Sequence, residues 1–186
     1  IKPHLNTGHY FEVKKEGLIE YLSSDCDRIS KDHVILTITM DLTGEGMQKT
    51  DHILYTFYGA LNKLKKGNIP AHIYYDMEAV LSTSYKWQSR KDPFSTTMEY
   101  AAGMVNEDLE TFPYKTVMIT EFDQKNSREL LNFLAPQNAL ISIMGKQEDT
   151  HVTANKQEVW TGAKYSTSRI SEEVLTSWAS APPHPY

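Results

Sequence analysis

Val34-Ile-Leu-Thr-Ile-Thr-Met-Asp-Leu-Thr-Gly-Glu-Gly46 changes its period halfway along. Its first eight residues put Val34, Leu36, Ile38 and Met40 on one face and Ile35, Thr37 and Thr39 on the other, the alternation of a β-strand. Thr43 then suits a helix N-cap, with Glu45 in the first turn. Met47, Ile53, Leu54, Phe57, Leu61 and Leu64 follow at helical spacing, towards Lys63, Lys65, Lys66 and a closing Gly67. One long helix is therefore expected from Thr43 to Gly67.

Upstream, Leu18–Ser24 reads as a partner strand, joined to Val34–Asp41 by the polar turn Asp25–Asp32, so an antiparallel pair is expected. Before it, Phe11–Glu16 suits a short helix stopped by Gly17, and Pro3 and Gly8 punctuate an irregular start. Downstream, a helix runs from Pro70 near its first position to about Arg90, until Asp92-Pro93 breaks it. A third spans about Ser95–Val105 with Ser95 as cap, and Tyr114–Thr120 makes a helical turn after Pro113. Asp123 or Asn126 caps a helix carrying Leu130, Leu131 and Leu134 that stops before Pro136. Ala139–Met144 is a nearly unbroken apolar run, expected to be a central strand. A polar loop, Gly145–Glu158, leads to extended Trp160–Tyr165 and to a last helix capped by Ser171 and ending at Trp178. The sum is an α+β, two-layer architecture: helices packed on one face of a mainly antiparallel sheet. Residues 1–180 form one domain, and the Pro-rich 181–186 reads as a linker to a following one.

A chain of 186 residues can bury about 70% of its unfolded surface, enough for one core. Its net charge of −5 offers no basic field, so nucleic acid is not an expected partner. No apolar run approaches the roughly 20 residues that span a bilayer, so no membrane partner is expected either. Cys26 is the single cysteine, which leaves no internal disulfide and no Cys-cluster metal site. The chain opens at Ile1 without a Met, as an excised piece would.

The motifs of common chemistry are missing. No two of the seven histidines form His-x-x-Glu-His, His-Glu-x-x-His or His-x-x-x-His, the spacings that set two imidazoles on one helix face. His72, Asp76 and Glu78 open a helix, but Glu78 points away from the side shared by the other two. Gly-x-Ser-x-Gly, the P-loop and Gly-x-Gly-x-x-Gly are absent, and Thr43-Gly-Glu-Gly46 lacks the lysine a P-loop needs. The histidines read as surface or core-edge residues, the aromatics as core, and Lys63–Lys66 as a solvated helix end.

Several stretches in order nevertheless carry a resemblance. They are Lys15-Glu-Gly17, Thr39–Gly46, Trp87-Gln-Ser-Arg-Lys-Asp-Pro93, Leu109-Glu-Thr-Phe-Pro113, Leu134-Ala-Pro-Gln-Asn-Ala139, Trp160-Thr-Gly-Ala-Lys-Tyr165 and Val174-Leu-Thr-Ser-Trp178. Their succession resembles the second, non-catalytic domain of insulysin/pitrilysin-type zinc metallopeptidases, the insulinase family. That resemblance implies a parent of four homologous α+β domains closing as two halves around a chamber. Zinc and the catalytic glutamate would come from the parent's first domain, so this segment would hold no cofactor and hydrolyse nothing alone. Its partners would be peptide substrates and the parent's other domains. Its part would be wall and floor of the chamber, with an exosite that anchors the substrate N-terminus on a strand edge. The matching positions are Gly8 and His9 in the entry loop and Tyr21, Leu22, Ser23 and Ser24 on the first strand.

Two departures bear on that exosite. The family's Gly-His-x-x-x-Gly-Ser loop is shortened to Gly8-His9-Tyr10, and Ser24 replaces a glycine of the anchoring strand. The competing assignments are an ordinary paired strand at Leu18–Ser24, an inactive scaffold or partner subunit of the same fold (processing-peptidase or respiratory core-protein type), and an unrelated α+β binding module. A start that omits the domain's first strands would leave a cut sheet edge and favour a homodimer of the fragment. Nothing in the residues separates a periplasmic bacterial protein from a cytosolic eukaryotic one.

Overall fold

In the computed structural model, residues 10–30, 33–67, 69–119, 121–150 and 152–183 are described. Helix α1 (Tyr10–Lys15) ends as its sequence promises. Gly17 takes φ +70°, its N–H donates to Lys14 O at 3.0 Å, and Leu18 N–H donates to Val13 O at 3.0 Å. That turn drives Leu18, which has no exposed surface, straight into the core.

Strands β1 (Ile19–Ser30) and β2 (His33–Leu42) pair antiparallel, Leu22 opposite Met40 and Ser24 opposite Ile38. The expected turn at 25–32 is largely strand: Asp25 to Ser30 pair with Thr37 to His33, and only residues 31 and 32, outside the described residues, connect them. Polarity misled there, because the distal half of the ribbon leaves the core. Ile29, Val34 and Ile35 are all more than half exposed, so nothing selects apolar side chains along it. Nearer the core the alternation holds, with Leu36, Ile38, Met40 and Leu42 partly buried and Ile35, Thr37 and Thr39 exposed.

Thr43 caps helix α2 (Gly44–Gln48): its Oγ1 accepts from Gly46 N–H at 3.0 Å and donates to Gly17 O at 2.6 Å. Gly46 is pressed on the Leu18 carbonyl so closely that a Cβ there would lie 1.9 Å from its oxygen. The expected single helix is in fact two. Lys49 adopts φ −121°, ψ 30°, and α3 (Thr50–Lys66) starts afresh. The reason is the long-range contact that holds Gly46 against the Leu18 carbonyl. With Gly46 held against Leu18, a break lets Ile53, Phe57 and Leu61 turn inward; they are 2%, 6% and 1% exposed. Gly67 ends α3 at φ −85°, without the left-handed turn expected of it.

Helix α4 (Ala71–Lys86) takes Pro70 as N-cap, and α5 (Pro93–Met104) is capped by Asp92 rather than Ser95. The Asp92 carboxylate accepts from Ser95 N–H at 2.9 Å and Ser95 Oγ at 3.1 Å, and Pro93 fills the first turn. A cis Phe112–Pro113 bond precedes α6 (Tyr114–Val117). Asp123 caps α7 (Gln124–Phe133), and Pro136–Asn138 form a 3₁₀ turn. Ala139–Met144 is not a strand, although its composition is that of one: the described residues offer it no neighbouring strand to pair with. A short helix α8 (Gln147–Thr150) and a two-rung hairpin, β3 (Lys156–Gln157) with β4 (Lys164–Tyr165), occupy the stretch expected to be loop and extended chain. Ser171 caps the last helix, α9 (Glu172–Ala179), as expected.

The core joins Val13, Leu18, Ile19 and Leu22 to Ile53, Phe57, Tyr58 and Leu61 of α3 and to Trp178 of α9. Tyr58 stacks on Trp178 at 5.9 Å, and Trp178 Nε1 donates to Asp51 at 2.9 Å. The architecture is the expected α+β one, antiparallel strands with helices over the buried face of the ribbon. Of the stretch expected to be a linker, Ala181 is 2% exposed and accepts from Asn62 at 3.0 Å. Residues 184–186 lie outside the described residues.

Candidate functional site

Gly8 and His9 lie outside the described residues. Tyr21, Leu22, Ser23 and Ser24 fall together on β1, as expected, and alternate as a strand must. Tyr21 is 56% exposed, whereas Leu22 belongs to the core and Ser24 is only 9% exposed. Ser24 therefore shares the inward face with Leu22. A side chain standing perpendicular to the sheet does not obstruct the in-plane edge, so the Ser-for-Gly replacement leaves that edge open. Leu22 and Ser24 can offer a ligand backbone groups, and Tyr21 can offer its ring.

Among the described residues β1 has one neighbour, β2, and its opposite edge meets no strand. Alternate residues of a strand direct N–H and C=O to the same side, so every second residue of β1 presents both groups away from β2. Around Tyr21–Ser24 the exposed charges are acidic: Glu20, Asp25 and Asp27 on β1 and Asp41 across the ribbon. Beside the strand start, Glu16 meets His52 of α3 at 3.0 Å. An edge without a neighbouring strand is where an extended chain can add to a sheet.

Elsewhere carboxylates serve the backbone. Burial would raise the Glu107 carboxyl, but bonds from Thr116 and Lys115 outweigh it and hold the group below its ordinary value. Those backbone bonds, 2.9 Å from Lys115 N–H and 2.6 Å from Thr116 N–H, fasten the start of α6. Glu158 is likewise held down by the N–H groups of Thr161 and Trp160, which shapes the β3–β4 turn around a 92% exposed Trp160. The sequence signal for both was a glutamate a few residues from threonine, too common to single out. A shallow cleft of about 350 Å³ lies by Gln88, Arg90 and Tyr100, with the Lys91–Glu99 ion pair (2.7 Å) on its wall. Among the described residues no three of His, Cys, Asp and Glu converge on a point that could hold a metal. The described residues therefore do not fit zinc. No described helix is long and apolar enough to cross a membrane.

Residues 85–185 match the family described as the middle or third domain of peptidase M16. Protease 3 of Escherichia coli K12 is 24% identical over 167 residues, which cover 89% of this chain and 17% of that protein. The human insulin-degrading enzyme is 20% identical over an aligned length of 190, covering 95% of this chain and 18% of the enzyme. A crystal structure of pitrilysin superposes with a TM-score of 0.78 at 23% identity, over 92% of this chain and 18% of that one. The chain thus spans less than a fifth of the length of these relatives.

Proposed function

The chain belongs to the peptidase M16 family, in the class of its middle or third domains, and from that premise we propose that it handles peptide while another module of a longer metallopeptidase cuts it. In this reading residues 1–180 are one non-catalytic domain, and 181–186 lead to the next. The domain forms part of the wall of a peptide-holding chamber, and zinc with its catalytic glutamate belongs to a separate domain. Peptide substrates and the parent's other domains are its partners. Along the outer edge of β1, from Tyr21 to Ser24, it holds the N-terminal end of an extended substrate.

The observation that carries this reading is the alternation on β1: Leu22 and Ser24 locked inward, Tyr21 outward, and an edge without a neighbouring strand among the described residues. Main-chain pairing there makes little demand on peptide sequence, and the inward side chains keep the edge rigid. Holding a terminus away from the reacting bond converts remote binding energy into orientation, which suits a subunit lacking chemistry of its own. The test is an NMR titration of the 186-residue chain with an extended peptide, its N-terminus free or acetylated. Amide shifts at 19–24, with roughly tenfold weaker binding after acetylation, an energy of about 1.4 kcal/mol, are expected. Equal affinity for both peptides, or shifts confined to other elements, would refute the anchoring role.

A further inference from the structure

Two polar side chains are buried among the described residues, and they differ in one respect. Thr56, 6% exposed, donates to His52 O at 2.9 Å. Ser24, 9% exposed, makes no side-chain hydrogen bond to any described residue. A hydroxyl taken out of water without a partner costs free energy, so its place in the fold calls for a reason.

The surroundings of Ser24 leave one direction open. It lies opposite Ile38 on β2, which packs against the core. Along its own strand the neighbours on that face are Leu22, in the core, and Cys26, which is exposed. Ser24 is thus the last buried residue on this face before the ribbon leaves the core. Towards β2 and towards Leu22 its face offers hydrocarbon. On the remaining side β1 meets no strand among the described residues. A strand added there would set a side chain on the same face beside Ser24, with Cβ atoms about 5 Å apart, the spacing at which hydroxyls on paired strands bond.

We propose that Ser24 selects which peptides the β1 edge holds. The ligand residue beside it carries a hydroxyl or carboxamide that bonds the Ser24 Oγ, and the residue two positions away, beside Leu22, is apolar. The inference rests on the peptide-anchoring reading and names the class of peptide that site takes. The two-residue spacing holds for parallel and antiparallel ligands alike, because the side chains of a strand return to one face with that period. A charged residue beside Ser24 is disfavoured, since it would lose water next to Ile38 and Leu22. Main-chain pairing stays indifferent to sequence. Ser24 adds the discrimination that a buried hydroxyl makes against a ligand unable to bond it.

The test is an NMR titration of the 186-residue chain with soluble peptides of glycine, alanine and lysine that keep a free N-terminus. One valine is moved through the peptide, and at each position it is exchanged for threonine, which has nearly the same shape. With shifts of the β1 amides as the readout, threonine should bind about tenfold more tightly than valine at one position. Valine should be preferred two residues away. Ser24→Ala should abolish the threonine preference. In urea, Ser24→Ala should unfold no earlier than the unaltered chain, since the hydroxyl it removes bonds no described residue. Peptides that shift β1 with no position preferring threonine overturn the proposal and leave the anchoring reading standing. Peptides that never shift β1 overturn both. A threonine preference that survives Ser24→Ala, or a Ser24→Ala chain clearly less stable than the unaltered one, assigns the hydroxyl another role and overturns the proposal as well.

Discussion

A methyl group added at Gly46 would have nowhere to go. Its nearest neighbour is a backbone oxygen, that of Leu18, rather than the end of a yielding side chain. Gly46→Ala should therefore part α2 from the start of β1 and destabilise the fold by about 3 kcal/mol, at the upper end of overpacking effects. Gly44, two residues earlier, has nothing within 4 Å of its would-be Cβ and sits in the first turn of α2. Gly44→Ala should be neutral or stabilise by up to about 1 kcal/mol, by trimming the unfolded chain's freedom. Urea unfolding of the two variants checks this, and equal effects would sink the argument. Glu158 gives a pH prediction with a definite sign. The Thr161 and Trp160 N–H groups hold its carboxyl below the ordinary 4.5, so its contribution to the β3–β4 turn is complete above that pH. It is lost as pH falls through the lower folded value. The Trp160 amide resonance should thus move to its loop position at a midpoint under 4.5, and Glu158→Gln should abolish the transition. A midpoint above 4.5 would contradict the assigned hydrogen bonds.

Caps were the most legible elements. Thr43, Asp123 and Ser171 start the helices that their side chains announce, because an N-cap is a local bond between a side chain and an N–H two or three residues on. The sequence suggests Asp92-Pro93 as a break and Ser95 as the cap, yet the structure has the aspartate accepting from both groups of Ser95. Both hydrogen bonds hold the Asp92 carboxyl below its ordinary value. Asp92→Ala should fray the first turn of α5 and cost about 1 kcal/mol of helix stability, whereas Ser95→Ala should cost less. Amide exchange at residues 93–97 separates the two, and a larger effect of Ser95→Ala would restore the sequence-based assignment. What a local reading could not supply was partnership. The apolar run Ala139–Met144 has the composition of a central strand, but strand formation needs a neighbour, and composition does not say whether one is present. The break at Lys49 was invisible for a similar reason, since it follows from Gly46 being held by Leu18, a contact 28 residues distant in sequence. The site divided the same way. The β1 residues come from the resemblance and fall in a run that reads as a strand, while which of them face inward depends on the position of α3 and α9 behind the ribbon.

Across the whole molecule the buried apolar residues are unevenly shared. The main cluster draws on α1, the proximal ribbon, α3 and α9, while α4 and α5 contribute no buried residue at all. Those two helices are held to their surroundings by edge-to-face pairs at their rim, Tyr85 with Tyr114 at 6.4 Å and Tyr100 with Phe112 at 5.5 Å. Such pairs contribute about 1 kcal/mol each, well below what burying a helix face supplies. Opening free energy should then differ by region rather than be common to the chain. We expect amides of α4 and α5 to exchange through local opening in low denaturant, while those of α3 exchange only on global unfolding. Tyr100→Ala should speed exchange in α5 and leave α3 unchanged; Phe57→Ala, which removes a side chain 6% exposed, should lower protection in α3 by about 3–4 kcal/mol and affect α4 and α5 much less. Uniform protection across α3, α4 and α5 would mean that the aromatic rim couples the two regions as firmly as the core does. The peptide-handling reading favours the uneven outcome, because a wall that adjusts to different peptides needs its rigid part under β1 and its loosely held helices elsewhere.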